Sequence, residues 1–572
     1  MTARSIFTLS ILNAQLCFGV TIHVDSNANG SENGSSWTNA YTTLQAALAS
    51  ANAGDEIWIA QGVYYPDEGP GQLENARSST FSLVEGVSIY GGFAGDEVNL
   101  NERDIEANAT VFSGDLAQND GPDFKNNSDN AYHVIRADET ITQATIIDGV
   151  QITAGNADLN GIFPDQTGGG AYIFTGAPSF IDCTFHGNAA EFGGAVLVDN
   201  ANPTFTDCIF ENNLGEFGGA IYVYNMSSPV LERITVTGND AELGGGIYST
   251  QSTPTIINSI FRGNTATLGG AAYDSNEAAP EYTNCIFQGN SAELGGAFYC
   301  NTTSTGAVIN CSIQGNLASV EGGGVYNNLD ATPVFTNCIV WNNAADGETD
   351  TLSASLFNNG TLAGFNFSLV ENWTIENLLG TGNFNGAEAL NDPRFVDPID
   401  PLTAPSLNGD LNLQDGTPVS GSGDNAANLE PTDLAGNARI QNTVIDLGPY
   451  EYNFDTTFET RYPALQPEDD ENGNGLSNFL EYALGLDPTV DNTLTDYNQV
   501  ISGTQLSYRV RAVGNDVSVD FEKSSDLSNW SDMILGVDYN LIDETISGVQ
   551  KTVTVDLLTQ DTEPVLFFRQ VF

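Results

Sequence analysis

Positive charge is scarce in this chain. Fifteen lysines and arginines stand against 74 aspartates and glutamates in 572 residues, a formal net charge of −59. A field of that sign repels nucleic acid phosphates and anionic lipid, which excludes both as partners. It also disfavours polyanionic substrates unless divalent cations bridge the two. The acids are scattered among Asn, Gly, Ser and Thr and form no block, so they read as a solvated surface and not as a disordered tail. Long apolar runs are missing too. After the N-terminus no segment reaches the ~20 apolar residues of a membrane helix, so the mature chain is expected to carry no transmembrane segment. Helical apolar spacing is nearly absent, which argues against an α-rich fold.

At the N-terminus, Arg4 precedes a short apolar stretch from Ile6 to Val20, with small residues before a break after Gly19. This is the pattern of an export signal over residues 1–19. A lipoprotein reading through Cys17 fits less well, because Ala14 stands where a leucine is wanted. The other reading is a buried first strand of an intracellular protein.

The dominant feature is a repeat. FHGN, FENN, VTGN, FRGN, FQGN, IQGN and VWNN end at Asn188, Asn213, Asn239, Asn264, Asn290, Asn316 and Asn343, at spacings of 25, 26, 25, 26, 26 and 27. Between them recur EFGGAVLV, EFGGAIYV, ELGGGIYS, TLGGAAYD, ELGGAFYC and EGGGVYNN. A unit this short cannot bury an apolar face alone and has to stack on its neighbours. Apolar residues alternate within it, as in Cys183 and Phe185 or Val196 and Val198, which is a strand period. Two or three short strands per unit, each ~4.8 Å from its counterpart, make a parallel β-helix. The asparagines then form a column in which each amide bonds the next. Paired glycines such as Gly218 and Gly219 supply positive φ or close approach at a corner. Cys183, Cys208, Cys285, Cys311 and Cys338 share another column with Ile234 and Ser259. Exchange with Ile marks a small buried slot and not metal ligation. Stacked neighbours fall within disulfide range, but their parallel side-chain vectors make that geometry awkward.

The FxxN and GGA(I/V/L) motifs, over about Ile141 to Asn343, resemble the repeats of chlamydial polymorphic outer membrane proteins and related pectin-lyase-like β-helix proteins. The resemblance implies a right-handed helix, an exported surface location and an adhesive role. Unlike those proteins, this chain shows no pattern for a large autotransporter barrel. The fold class expected is therefore all-β: a right-handed parallel β-helix solenoid followed by a small C-terminal antiparallel β-sandwich.

Before the repeats, residues 20–140 are expected to cap the solenoid and begin its rungs. Leu44, Ala47, Leu48 and Ala51 lie on one face of a short helix from Thr43 to Ser50, ahead of a strand from Ile57 to Ala60. His133 has no metal-like partner in sequence and reads as structural. The repeats span 141–385. From 386 to 453, DPRFVDP, LNLQDGTPVSGSGDNAA, TDLAGNARI and IDLGPYEY resemble the choice-of-anchor Q module, although Gly421 stands where that pattern has Asp. A plain C-terminal cap is the equivalent structural reading.

Within 454–491, DENGNGLSNFLE fits a calcium loop at each required position. Asp470, Asn472 and Asn474 offer side-chain oxygens and Leu476 its carbonyl. Asn478 acts through water and Glu481 binds bidentately, with Gly475 at the turn. Two Asn in place of Asp lower the site charge and weaken affinity. The residues FLEYALGLDPT resemble the exit of dockerin-like and thrombospondin type 3-like repeats. Only one loop is present, so dockerin-type docking is not implied, and structural calcium is the cofactor expected. Residues 492–572 alternate as a small β-sandwich and resemble tail domains of bacterial surface proteins.

No residues in the repeats mark an enzyme. A lyase needs a base and a cation for the enolate-like intermediate, and the repeats hold only Arg233 and Arg262. A hydrolase needs paired carboxylates, but Asp199 and Asp274 stand three rungs apart, ~14 Å. Glu191, Glu216, Glu242 and Glu293 read as a solvated ladder. The feature that suggests binding is a column of Tyr222, Tyr248, Tyr273, Tyr299 and Tyr326, with Tyr172 and Leu197 before it. If its neighbour column is core, the tyrosines face outward. They are then either an exposed stripe for a sugar face or a partner's apolar patch, or a ring stack under cover. The sequence thus points to an exported surface protein that is adhesive, carbohydrate-binding or structural, with glycans or cell-surface proteins as partners. A polysaccharide lyase or glycoside hydrolase on the same fold is the alternative.

Overall fold

The computed structural model describes residues 19–452, except 160, 374–378, 415 and 442, together with the backbone of seven strands between 500 and 571. It divides into two compact units: residues 1–383 with 399–408, and residues 384–398 with 409–572.

The first unit is a parallel β-helix. A typical rung runs through Thr204–Thr206, Ile209–Glu211, Leu214–Phe217 and Ile221–Tyr224. Each of these strands pairs in parallel with its counterpart in the rungs on either side, so the unit consists of four stacked sheets. The first sheet has 12 strands, the third 8 and the fourth 10. The expectation of two or three strands per rung missed one. The extra strand lies between the Asn corner and the glycine pair, over the four residues Leu214–Phe217 in this rung.

Strand alternation divides each rung into a core side and an outer side. Phe180 and Phe205 of the first sheet stack at 5.0 Å, and Phe185 and Phe210 of the second also at 5.0 Å. All four are fully buried. The corners follow from local chemistry. At Gly218, φ is +72°, and a Cβ on Gly219 would lie 2.3 Å from the Gly245 carbonyl oxygen, so neither position accepts a side chain.

At the corner between the second and third sheets the asparagine column forms as expected. The backbone N–H of Asn213 donates to Asn239 Oδ1 at 3.0 Å, and its Nδ2 donates to the same oxygen at 2.9 Å and to the Phe185 carbonyl at 3.0 Å. The pattern repeats from Asn188 to Asn343. Cys183, Cys208, Cys285, Cys311 and Cys338 are buried free thiols at the preceding corner, and Cys300 is a sixth. Burial pushes the thiols of Cys208, Cys311 and Cys338 well above their ordinary range.

One end of the solenoid carries helix α1 (Leu44–Ser50), and a strand follows at Glu56–Ala60. Leu44, Ala47 and Leu48 are buried in the same apolar cluster as Val24 and Ile57. Residues 399–408 form a strap across the second sheet. Ile399 donates its N–H to Gln314 Oε1 at 3.0 Å, Gln314 Nε2 returns a bond to the Ile399 carbonyl at 2.7 Å, and Ser406 N–H bonds the Gly289 carbonyl at 2.9 Å. In one column of the second sheet, Ile339 is fully buried and Ile209 is 40% exposed.

In the second unit, Phe395–Asp397 pairs antiparallel with Asp410–Leu413. TDLAGNARI and IDLGPYEY meet through the buried ion pair of Arg439 with Glu451. The tail holds two antiparallel sheets. One has four strands (500–502, 505–511, 550–557 and 539–547) and the other three (531–532, 520–524 and 567–571).

Candidate functional site

Asp470, Asn472, Asn474, Leu476, Asn478 and Glu481, the residues expected from sequence to form a calcium loop, lie outside the described residues. Among the described residues no three His, Cys, Asp or Glu side chains are grouped to hold a metal ion.

The tyrosine column is on the outer face of the fourth sheet. Tyr222 pairs with Tyr248, Tyr248 with Tyr273, Tyr273 with Tyr299, and Tyr299 with Tyr326. Successive ring centroids are 4.9, 4.9, 5.0 and 4.9 Å apart. The rings point away from the core, as alternation requires, but they are not open to solvent: exposures run from 6% to 9%. Phe192, Phe217, Leu243, Leu268 and Leu294, each just before a glycine corner, fold over them and complete a second apolar cluster. The covered reading of the stack is therefore the one that matches this burial. The hydroxyls are also engaged. Asn301 Nδ2 donates to Tyr273 Oη at 2.8 Å, Asn328 Nδ2 to Tyr299 Oη at 3.0 Å, and Tyr248 Oη lies 3.1 Å from Ser275 Oγ. Burial pushes the Tyr299 phenol up to about 12, so it stays protonated. Replacing Tyr273 by Phe keeps the ring and removes one hydrogen bond. The expected cost is about 1 kcal/mol, read as a small shift of the urea midpoint.

The stripe does have an open end. Arg136 precedes the rings in the column, paired with Tyr172 in the next rung and with Ser82 in the one before. Its guanidinium carbon is 5.6 Å from the Tyr172 centroid, and its side chain is exposed. Phe163, on the loop between the rungs, meets Tyr172 edge-on at 5.9 Å and is itself 55% exposed. Behind Tyr172, His133 stacks at 5.2 Å and 25°. His133 is buried, with Nδ1 3.1 Å from the Gly168 carbonyl and Nε2 3.9 Å from Asp165 Oδ1. Burial holds its pKa down at about 4, so at neutral pH the ring is uncharged. It supports Tyr172, consistent with the structural role read for it. Arg136 joins none of the ion pairs found among the described residues. Neither Arg136 nor Phe163 stood out in the sequence. Arg136 precedes the regular repeats, and the inserted loop that carries Phe163 hides the register to Tyr172.

The other candidates separate. Arg233 is held by Asp207 at 2.7 Å and by Glu232, and Arg262 Nη1 donates to the Leu407 carbonyl at 3.4 Å. Asp199 sits in the outward position of its strand, whereas Asp274 takes the inward position held by Val198 and Val223 elsewhere. The two acids thus point to opposite faces of the fourth sheet and form no pair. Glu191, Glu216 and Glu242 line an open groove of ≈860 Å³ on the third sheet, floored by Ala190, Gly215 and Ala241.

Residues 85–313 match the family model described as the right handed beta helix region. No curated protein matches the sequence. Among solved structures, the chain is similar to pectate lyase Pel9A at 16% identity, with 76% of this chain and 96% of that one covered and a TM-score of 0.47. It is similar to a rhamnogalacturonan lyase at 14% identity, with 66% and 91% covered and a TM-score of 0.40. A third similarity, at 10% identity with 97% and 89% covered and a TM-score of 0.34, is to a tailspike protein of the Acinetobacter baumannii bacteriophage Fri1, a capsular polysaccharide depolymerase. The stacked parallel sheets and the matched region agree on one architecture, the right-handed parallel β-helix.

Proposed function

We propose that this is an exported, non-catalytic β-helix protein that holds a neutral glycan at the open head of its aromatic column. The observation that carries the reading is Arg136: an exposed cation outside every ion pair found among the described residues, reaching the same Tyr172 ring as the exposed Phe163, in a chain of net charge −59. An aromatic ring packs on the C–H face of a sugar. The planar fork of a guanidinium can donate two parallel hydrogen bonds to a pair of adjacent hydroxyl oxygens. The surrounding negative field turns away polyuronates, which leaves uncharged sugars as the ligand class. Arg136 is carried by a strand of the solenoid, so little ordering entropy is lost at that group on binding.

The test is a glycan array with the full chain, Arg136→Ala and Phe163→Ala. Each substitution is expected to lower retention of neutral glycans about tenfold, while Tyr273→Phe leaves it unchanged. Retention that is indifferent to Arg136→Ala overturns the reading. Release of unsaturated sugar from an acidic polysaccharide would replace it with a lyase.

A further inference from the structure

On the outer face of the fourth sheet, Phe174, Asp199 and Tyr224 pair in register on three successive strands, two residues after Tyr172, Leu197 and Tyr222. Each aromatic ring lies nearly in the plane of the column ring of its own rung. Phe174 is at 4° to Tyr172, and Tyr224 is at 8° to Tyr222. Those column rings turn their faces along the solenoid: the guanidinium of Arg136, one rung earlier, sits over Tyr172, and Tyr248, one rung later, stacks on Tyr222 at 4.9 Å. Phe174 and Tyr224 therefore present their faces to each other across the rung of Asp199. Two strand spacings of about 4.8 Å set the ring centres about 10 Å apart. Tyr224 is 38% exposed, so the slot between the rings opens to solvent.

Asp199 forms the floor of the slot. Its side chain is shorter than the ring on either side, which leaves room above the carboxylate. The residue is 5% exposed, and Oδ1 accepts a bond from Asn225 Nδ2 at 3.0 Å. Among the described residues no donor reaches Oδ2 and no cation pairs with the group. Burial raises the carboxyl above its usual range, with Asn225 partly opposing the shift. A cation is attracted to a ring face within about 6 Å of its centroid, and the middle of this slot lies about 5 Å from both. A metal ion or a primary ammonium holds its water strongly, and ring faces offer no oxygens to replace it. A quaternary ammonium carries its charge under methyl groups and fits both the rings and the carboxylate. The net charge of −59 concentrates such cations at the surface.

We infer that Phe174, Asp199 and Tyr224 form a binding slot for a quaternary ammonium group, with a ring on each side and the carboxylate beneath. The slot rests on different residues from the glycan reading and takes a ligand of opposite electrostatic character. Two sources carry this chemistry, a small free cation and the headgroup of a zwitterionic lipid.

Calorimetric titration of the full chain with choline is expected to show binding at one site. Dimethylbutanol, the uncharged carbon isostere of choline, should bind about tenfold more weakly. Asp199→Asn, which keeps the side-chain shape and removes the charge, should weaken choline about tenfold, as should Tyr224→Ala, while Tyr224→Phe keeps the ring and stays within about twofold. Unchanged circular dichroism of each variant separates these losses from unfolding. Asp199→Asn should leave neutral-glycan retention intact, and Arg136→Ala should not weaken choline, so the two readings fail separately. Co-sedimentation with phosphatidylcholine vesicles assigns the ligand to a lipid headgroup; choline binding without it assigns a free cation. Absence of choline binding at millimolar concentration, equal binding of dimethylbutanol, or choline binding that survives Asp199→Asn overturns the assignment.

Discussion

Replacing Asn264 by Ala is expected to destabilise the solenoid by about 3–6 kcal/mol, and urea unfolding followed by circular dichroism measures it. Asn264 Oδ1 accepts the backbone N–H of Asn239 at 3.1 Å and Asn239 Nδ2 at 2.9 Å, while Asn264 Nδ2 donates to the Val236 carbonyl at 2.9 Å and to Asn290 Oδ1 at 3.0 Å. Alanine takes away all four. It leaves the Asn239 N–H with no partner at a fully buried site, and strips one bond each from Asn239 Nδ2 and the Val236 carbonyl. A buried orphan costs about 1–3 kcal/mol, and besides the orphaned N–H three further groups, Asn239 Nδ2, the Val236 carbonyl and Asn290 Oδ1, each lose one bond. The effect should spread, because the column couples adjacent rungs. Asn264→Asp separates the two functions of the amide. It keeps the acceptor for Asn239 but loses both donations and brings a charge to a sealed corner, so its damage should ease as pH falls and the carboxyl protonates. A cost below about 1 kcal/mol for Asn264→Ala would mean that the amides stack without stabilising one another.

This column is also why so much of the fold was legible. A parallel β-helix sets the same sequence position directly above itself in every rung, so a pattern of Asn at 25 to 27 residues is already a statement about space. The cysteine column, the Phe185 and Phe210 stack and the outward direction of Tyr248 and Tyr273 follow from the same register. Helix α1 was legible for a different reason, since Leu44, Ala47 and Leu48 carry their own helical period.

The rest depends on features that do not repeat, or on how far a segment bends. The residues that cover the tyrosines, such as Phe217 and Leu243, are visible in every repeat. Nothing in their spacing says that the positive φ of Gly218 turns the third strand back far enough to lay Phe217 against Tyr248, 5.9 Å between centroids. Arg136 and Phe163 lie where an insertion lengthens the rung, and the strap at Ile399 comes from beyond the repeats. In each case contact is made by residues that share no period, and a reading by periodicity passes over them.

Asp274 is the other residue that periodicity could have singled out, and it carries the strongest pH prediction. Its position faces the core, where Ile173, Val198 and Val223 stand in earlier rungs and Ser249, Cys300 and Asn327 in its neighbours. The carboxyl is 3% exposed, with Tyr282 Oη at 3.5 Å from Oδ1, Ser249 and Cys300 beside it in the column, and no ion pair among the described residues. Burial raises its pKa from 3.8 to about 7, the hydroxyls of Ser249 and Tyr282 only partly opposing the shift. In the unfolded chain the group ionises near 3.8, so between that pH and about 7 the folded state holds a proton that the unfolded state has lost. Stability from this group is therefore full below about pH 4, falls as pH rises to about 7, and is flat above. Over roughly three pH units, at about 1.4 kcal/mol per unit, the change is about 4 kcal/mol. Asn matches the shape and cannot ionise, so Asp274→Asn should equal the parent near pH 4 and exceed it by up to about 4 kcal/mol at pH 8. The difference between the two urea midpoints, followed from pH 4 to pH 8, isolates the group from the many surface carboxylates common to both chains. A difference that stays constant across that range would place the Asp274 charge in contact with water or a cation, and the inward register of the column would then be wrong at this rung.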